Sequence, residues 1–341
     1  MKEKIVASQE ENVDRAKIQL DIDALSGQIT SVVGAAQFNG LNLLSNDETT
    51  AGSGTVNVLS SLDRSSTGVA ASDISVRKQD LGTNQGGITG TWTSTVDDSG
   101  QLTDTQTDSI AITAPTAAAT VYSLAIFGTD ADDSSFAQAD YQTTALAGAP
   151  ADAAELEQIM YISRDGDTAA DVAKGLETAY KVYAAENGLD SDVLSVTATS
   201  TGLDVASSAT DATDTIDVGV YTGDAGAGAE ATIGGGLEAL DGIDVTTTEG
   251  ADAALTSIEF MIETAIDSAA AFGSVQGRIE IQSEFVSKIT DALKSGIGTL
   301  VDANMEEASA RLQALQVQQQ LGVQSLSIAN QAPQSILSLF R

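Results

Sequence analysis

The chain has 341 residues, with 15 Lys and Arg against 49 Asp and Glu, and neither His nor Cys. A formal charge of −34 repels phosphate backbones and anionic lipid, so neither nucleic acid nor membrane insertion is expected. Without imidazole or thiolate, the usual metal and haem ligands, nucleophilic triads and disulfide staples are all closed to it. No cofactor, no metal and no enzymatic activity are expected.

The charge is unevenly placed. Residues 51–250 carry 31 acids against six bases, a balance of −25, while the stretch from Leu312 to Phe340 holds no charged residue at all. In chain order, residues 1–33 read as helix: Ile18, Ile22, Leu25, Ile29 and Val32 recur at alternating spacings of 4 and 3, a stripe on one face. The stripe stops at Gly34, and Asn39-Gly40 marks a turn.

From about 45 to 250 the chain is rich in Thr, Ser, Ala, Gly and Asp. Thr55–Leu59, Val121–Phe127, Val193–Thr199 and Ile216–Tyr221 read as short strands between turn formers. One helix interrupts them: Asp167 or Thr168 caps it, Val172, Leu176 and Tyr180 share a face, and Asn187-Gly188 ends it. With the strand-like Val193–Val205 behind it, this piece reads as strand–helix–strand near 160–205. The abundance of small residues predicts thin β cores.

Beyond 251 helix returns. Leu255, Ile258, Ile262, Ala265, Ala269, Phe272 and Ile279 keep the 3–4 spacing of a long coiled-coil-like helix. Ser295-Gly296-Ile297-Gly298 is expected to break it, and a second helix from about Asp302 to Ala332 to end before Pro333. That last helix is apolar on two faces. Met305, Ala308, Leu312, Leu315, Leu326 and Ala329 follow one stripe; Ala314, Val317, Leu321, Ile328 and Ala332 follow the other. Gln, Ser and Asn fill the gaps, so the segment expects protein neighbours on several sides.

The tail closely resembles the C-terminus of bacterial flagellin: Leu300-Val301-Asp302-Ala303-Asn304-Met305, then the run from Leu312 to Gly322, then Ser325 to Arg341. Phe272-Gly273-Ser274-Val275-Gln276-Gly277-Arg278-Ile279 resembles the family's coiled-coil signature, with Gly277 where Asn is usual. Ala36 to Leu44 resembles the turn after the N-terminal rod helices. The resemblance implies an α+β fold in which long helices from both ends form a rod around a β-rich variable insert. The implied segments are a rod helix and turn at 1–45, outer domains at 46–250, a C-terminal rod helix at 251–300 and a terminal helix of the filament core at 301–341. Rod-core residues would be Ile18, Ile22, Leu25, Ile29, Leu255, Ile258, Ile262, Phe272 and Ile279. Subunit packing would fall to Leu312, Leu315, Leu321, Leu326, Ile328, Ile336, Leu337, Leu339 and Phe340.

By the same resemblance the chain is a structural subunit that assembles into the extracellular flagellar filament after export, for motility. Its implied partners are further copies of itself, an export chaperone and a cap protein. A hook–filament junction protein and an acidic β-rich adhesin with a coiled-coil stalk are the alternatives. The family begins with a further terminal helix and a first rod helix, and Met1 stands where the second rod helix would start. The chain is accordingly expected to lack those helices and, alone, not to build a normal filament. Two acid clusters, Asp130-Ala131-Asp132-Asp133 and Asp165-Gly166-Asp167, lack an EF-hand frame, since the twelfth position after Asp165 is Leu176 rather than Glu.

Overall fold

The computed structural model describes all residues except 39, 66–67, 104–105, 131–134, 138–140, 142–152, 191, 209–212 and 338–341. The chain divides into two compact units, Met1–Val275 and Gln276–Arg341. The fold is α+β. Helix α1 (Lys2–Ser8) and helix α2 (Arg15–Ala35) replace the single helix anticipated over 1–33. Two local features divide it. Asn12 takes a left-handed conformation with φ 92°, and the Asp14 side chain accepts from Lys17 N, capping α2.

The insert is built largely from antiparallel strands. A two-stranded ribbon pairs β3 (Thr55–Ser65) with β4 (Gly68–Arg77). A four-stranded sheet runs β6 (Trp92–Thr103), β12 (Thr215–Ala225), β8 (Val121–Thr129), β9 (Met160–Ile162). A three-stranded sheet runs β10 (Leu194–Ala198), β11 (Gly202–Ser207), β7 (Thr107–Ala111). Val193–Val205 is thus a hairpin rather than one strand. The small pairs β1 (Gln37–Phe38) with β2 (Leu41–Asn42) and β5 (Gly87–Thr89) with β13 (Glu230–Thr232) complete the sheets among the described residues.

Helix α3 (Ala153–Leu156) is a single turn, and helix α4 (Ala169–Asn187) closes the core. Thr168 and Asp171 form a reciprocal capping box, and Gly188, at φ 67°, ends the helix in the left-handed conformation that glycine adopts without strain. Its Val172, Leu176 and Tyr180 are buried among Leu102, Ile110, Tyr122, Leu124, Ile126, Val196, Leu203, Val205, Ile216, Val218 and Val220. Both larger sheets contribute to this one cluster, and the Tyr180 hydroxyl donates to Leu194 O at 2.7 Å. The cores are not thin. The small residues are abundant, but the inward strand positions are reserved for Leu, Ile, Val and Tyr.

Helix α5 spans Thr248–Leu337 without interruption. Gly296, Gly298 and Pro333 all lie within it, which corrects both the break at 295–298 and the stop before Pro333. Each glycine costs a helix about 1 kcal/mol relative to Ala. That is too little to end a segment flanked by Leu293, Lys294, Leu300, Met305 and Glu306, all favourable helix residues. Pro333 removes one backbone donor near the helix end, and the described helix continues four residues past it.

Two predictions follow from these packings. Truncating the fully buried Leu176 to Ala should destabilise the insert by about 2–5 kcal/mol, read as a lower denaturant midpoint. A Cβ at Gly296 meets nothing within 4 Å, so Gly296→Ala should raise helicity by circular dichroism and stabilise the segment by roughly 1 kcal/mol.

Candidate assembly surface and the junction that supports it

In the second unit, the α5 residues from Gln276 onward present their side chains outward. Leu293, Ile297, Leu300, Met305, Leu312, Leu315, Leu321, Leu326 and Ile328 are all exposed, Leu321 at 59%. After Arg311 the residues between them carry no charge and are mostly Gln and Ser. A helix with exposed apolar side chains all round has no core-facing side of its own and marks an interaction surface. Of the packing residues expected from sequence, Ile336 and Leu337 are described only in their backbone, and Leu339 and Phe340 lie outside the described residues. A second exposed apolar surface lies on the β3–β4 ribbon, where Leu59, Leu62 and Val69 are open to solvent.

In the first unit, Ile22 and Ile258 are buried in one cluster with Ile5, Leu237, Leu240, Ile243, Val245, Ala251, Ala254 and Met261, and Ile18, Ile29 and Leu255 pack against it. Leu25 and Phe272 are half-buried, as is Ile279 in the second unit. Ile262 is 37% exposed. The face that α5 buries is Ala251, Ala254, Ile258, Met261 and Ser268, a 3–4 stripe turned slightly from the one through Leu255 and Ile262. Small residues there admit close approach. Gln19 clips α2 to the returning chain, its amide donating to Ile243 O at 2.8 Å and accepting from Val245 N at 2.9 Å.

Next to this cluster, on which Leu81 and Leu237 pack, the insert is held together by a network of charges, buried at Arg164, Asp80 and Asp167. The Arg164 guanidinium donates to Asp80 at 2.8 Å, to the Tyr161 hydroxyl at 2.7 Å and to Gly234 O at 2.6 Å. Tyr161 in turn donates to Asp167 at 2.7 Å, and Arg77 forks between Asp167 at 2.6 Å and Asp171 at 2.9 Å. The Asp165 carboxylate accepts from Gly54 N at 2.8 Å. A Cβ at Gly54 would collide with Asp165 O, and one at Gly235 would collide with Gly82 O, so both positions require glycine. Asp165 and Asp167, one of the two acid clusters read from sequence, are thereby committed to protein donors. Asp130 accepts from Ser135 N and Phe136 N, while Asp132 and Asp133 lie outside the described residues. Among the described residues no group of three acids is placed to hold a metal.

Burial raises the Asp167 carboxyl above its usual range, against the hydrogen bonds and guanidinium charges that favour its anion. Asp171 goes the other way. Partial burial opposes its anion, but the Thr168 hydrogen bonds and the Arg77 charge prevail and hold it low. A carboxyl held low contributes stability above its unfolded pKa, and that contribution is lost as pH falls through the folded value. The stability difference between the parent chain and Asp171→Asn should therefore shrink between pH 5 and pH 3, measured by urea midpoints. A difference that grows on acidification would contradict the assignment.

Comparison with known proteins gives a consistent picture. The bacterial flagellin N-terminal helical region matches residues 1–49, and the bacterial flagellin C-terminal helical region matches 255–340. Flagellin A of Rhizobium meliloti is 34% identical over 342 residues, covering 100% of this chain and 77% of the relative. Flagellin B of the same organism is 35% identical over the same span, with the same coverage. Flagellin D of Rhizobium meliloti strain 1021 is 36% identical over 346 residues, covering 99% of this chain and 77% of its own. Among the described residues, no helix is long and apolar enough to cross a membrane.

Proposed function

The chain belongs to the bacterial flagellin family, and on that premise we propose that its C-terminal helix is the lattice-forming part of a self-assembling filament subunit. The protein is a structural subunit of the extracellular flagellar filament, not an enzyme. Its partners are further copies of itself, with the export chaperone and cap protein typical of the family. In this reading, 1–45 and 251–300 form the rod, 301–341 the filament core, and 46–250 the outer domains.

The observation that carries the reading is the exposure of large apolar side chains along α5 from Leu293 to Ile328, in a segment with no charge after Arg311 until Arg341. Burying such side chains yields roughly 25 cal/mol per Å² of apolar surface, and a helical lattice repeats that gain in every copy. Leu312, Leu315, Leu321, Leu326, Ile328, Ile336, Leu337, Leu339 and Phe340 would supply the contacts. The exposed Leu59, Leu62 and Val69 face of the ribbon would add a second contact between copies. The acidic zone 51–250 would face solvent and keep filaments apart by mutual repulsion.

Leu321→Asp tests the assignment. Introduced into the gene in its native host, it should abolish filaments seen by electron microscopy. The purified chain should retain the cooperative unfolding of the insert. Filaments of normal length from this variant would sink the proposed role of the tail.

A further inference from the structure

Within the first unit, an open cleft of about 780 Å³ lies between α4, the first turns of α5 and the segments around 77–86 and 235–250. Small-molecule sites have volumes of this order, with mostly apolar walls and a few converging polar groups. One wall here is apolar, formed by Val182, Tyr183, Ala254, Phe260 and Met261.

At the polar end the charges are nearly all committed. Arg77 is held by Asp167 and Asp171, Arg164 by Asp80, and Lys174 by Asp267 and Glu263. Glu157 accepts from Ile88 N and Asp244 from Thr246 N. Burial raises the Glu238 carboxyl toward its neutral form, although it accepts from Gly86 N. Glu186 and Glu249 line the cleft and are exposed.

Lys78 is the exception. It lines the cleft at 7% exposure, and its ammonium has no hydrogen-bond or ion-pair partner among the described residues. Its stem is buried while its ammonium keeps access to solvent. Asn46 Oδ1, at the same cleft and 2% exposed as a residue, likewise lacks a donor. The cleft thus presents one accessible ammonium and one buried acceptor, neither with a protein partner among the described residues.

We propose that this cleft binds a small amphiphilic carboxylate, its charged end on the Lys78 ammonium and its apolar body along Phe260 and Met261. The inference is independent of assembly, because every group invoked lies in one subunit.

Methionine methyl NMR on the full chain in its soluble form tests it, with sodium octanoate as the probe. Of the four methionines, Met160 and Met261 line the cleft, whereas Met1 and Met305 do not. Octanoate should produce saturable shifts confined to Met160 and Met261. Lys78→Met should weaken binding at least about tenfold, the range expected for losing a hydrogen bond to a charged group. Octylammonium should not compete. If Lys78→Met fails to fold, the parent chain decides the matter alone: octanol, which has the same apolar body without the charge, should bind at least about tenfold more weakly. Shifts spread over all four methyls, equal affinity for octanol, or tighter binding of octylammonium would each overturn the proposal.

Discussion

The insert is tied together, beside the rod cluster on which Leu81 and Leu237 pack, by a small set of charges buried at Asp80, Arg164 and Asp167. Asp167 is the centre: its side chain is 2% exposed, yet it accepts from Arg164 N, the Tyr161 hydroxyl and the Arg77 guanidinium. A buried carboxylate left unpaired costs several kcal/mol, so removing any one partner costs more than the bond itself. The donors come from distant parts of the chain: Arg77 from the end of the ribbon, Tyr161 from β9 and Arg164 from the loop after it. Asp80 and Gly234 O, which hold Arg164 in place, lie within three residues of Leu81 and Leu237, which pack on the rod cluster. Satisfying one set of hydrogen bonds thus fixes four segments together. Arg suits both cationic positions because its planar fork reaches two or three acceptors at once, which an ammonium on a flexible stem does not do.

The same junction explains where glycine is indispensable and where it is incidental. Segments 82–86 and 234–237 run side by side, with Gly235 N donating to Asn84 O at 2.8 Å and Leu237 N to Gly82 O at 2.9 Å. Backbones that close leave no room for Cβ, as the contact at Gly235 shows. The glycines of the C-terminal helix are the opposite case. Gly296, Gly298 and Gly322 have open space around them, so their small size serves nothing within the subunit.

Local signals proved readable, and long-range ones did not. The α4 cap, its buried stripe and its glycine stop are all short-range features, and each was legible from Thr168 to Gly188. Strands β3, β8, β10 and β12 followed from β-branched clusters for the same reason, whereas β4, β6 and β7, rich in Ser, Asp and Thr, did not stand out. The split between α1 and α2 depends on a left-handed Asn12 and an Asp14 cap, both too weak beside a clear apolar stripe to stand out. Helix α5 shows how periodicity can mislead in rotation. The stripe through Ile262 is the more apolar, yet the rod buries Ala251, Ala254 and Met261, since close helix approach favours small residues. The buried network was invisible because Asp80 and Arg164 lie 84 positions apart in the chain, and no spacing rule connects them. The assembly helix stood out for the reverse reason: a charge-free run in so acidic a chain needs no partner to be noticed.

Why that run carries amides rather than charges follows from the geometry of a helical polymer. In a monomer, a surface Glu on a helix is harmless, and an exposed pair with Lys contributes only about 0–1 kcal/mol. In a filament the same residue recurs in every copy at a fixed small rotation and rise. A single buried Glu would become a column of like charges, each desolvated and each repelled by its neighbours. Gln313, Gln316, Gln318, Gln319 and Gln320 avoid this, since a side-chain amide both donates and accepts and can pair with its own image in the next subunit. In the proposed filament the constraint would lapse over residues 51–250 outside the ribbon contact, where solvent would separate the copies and screen charge over about 10 Å at ordinary ionic strength. The contrast between a −25 insert and a neutral tail is therefore what repetition itself demands: charge is tolerated only where successive copies stay apart.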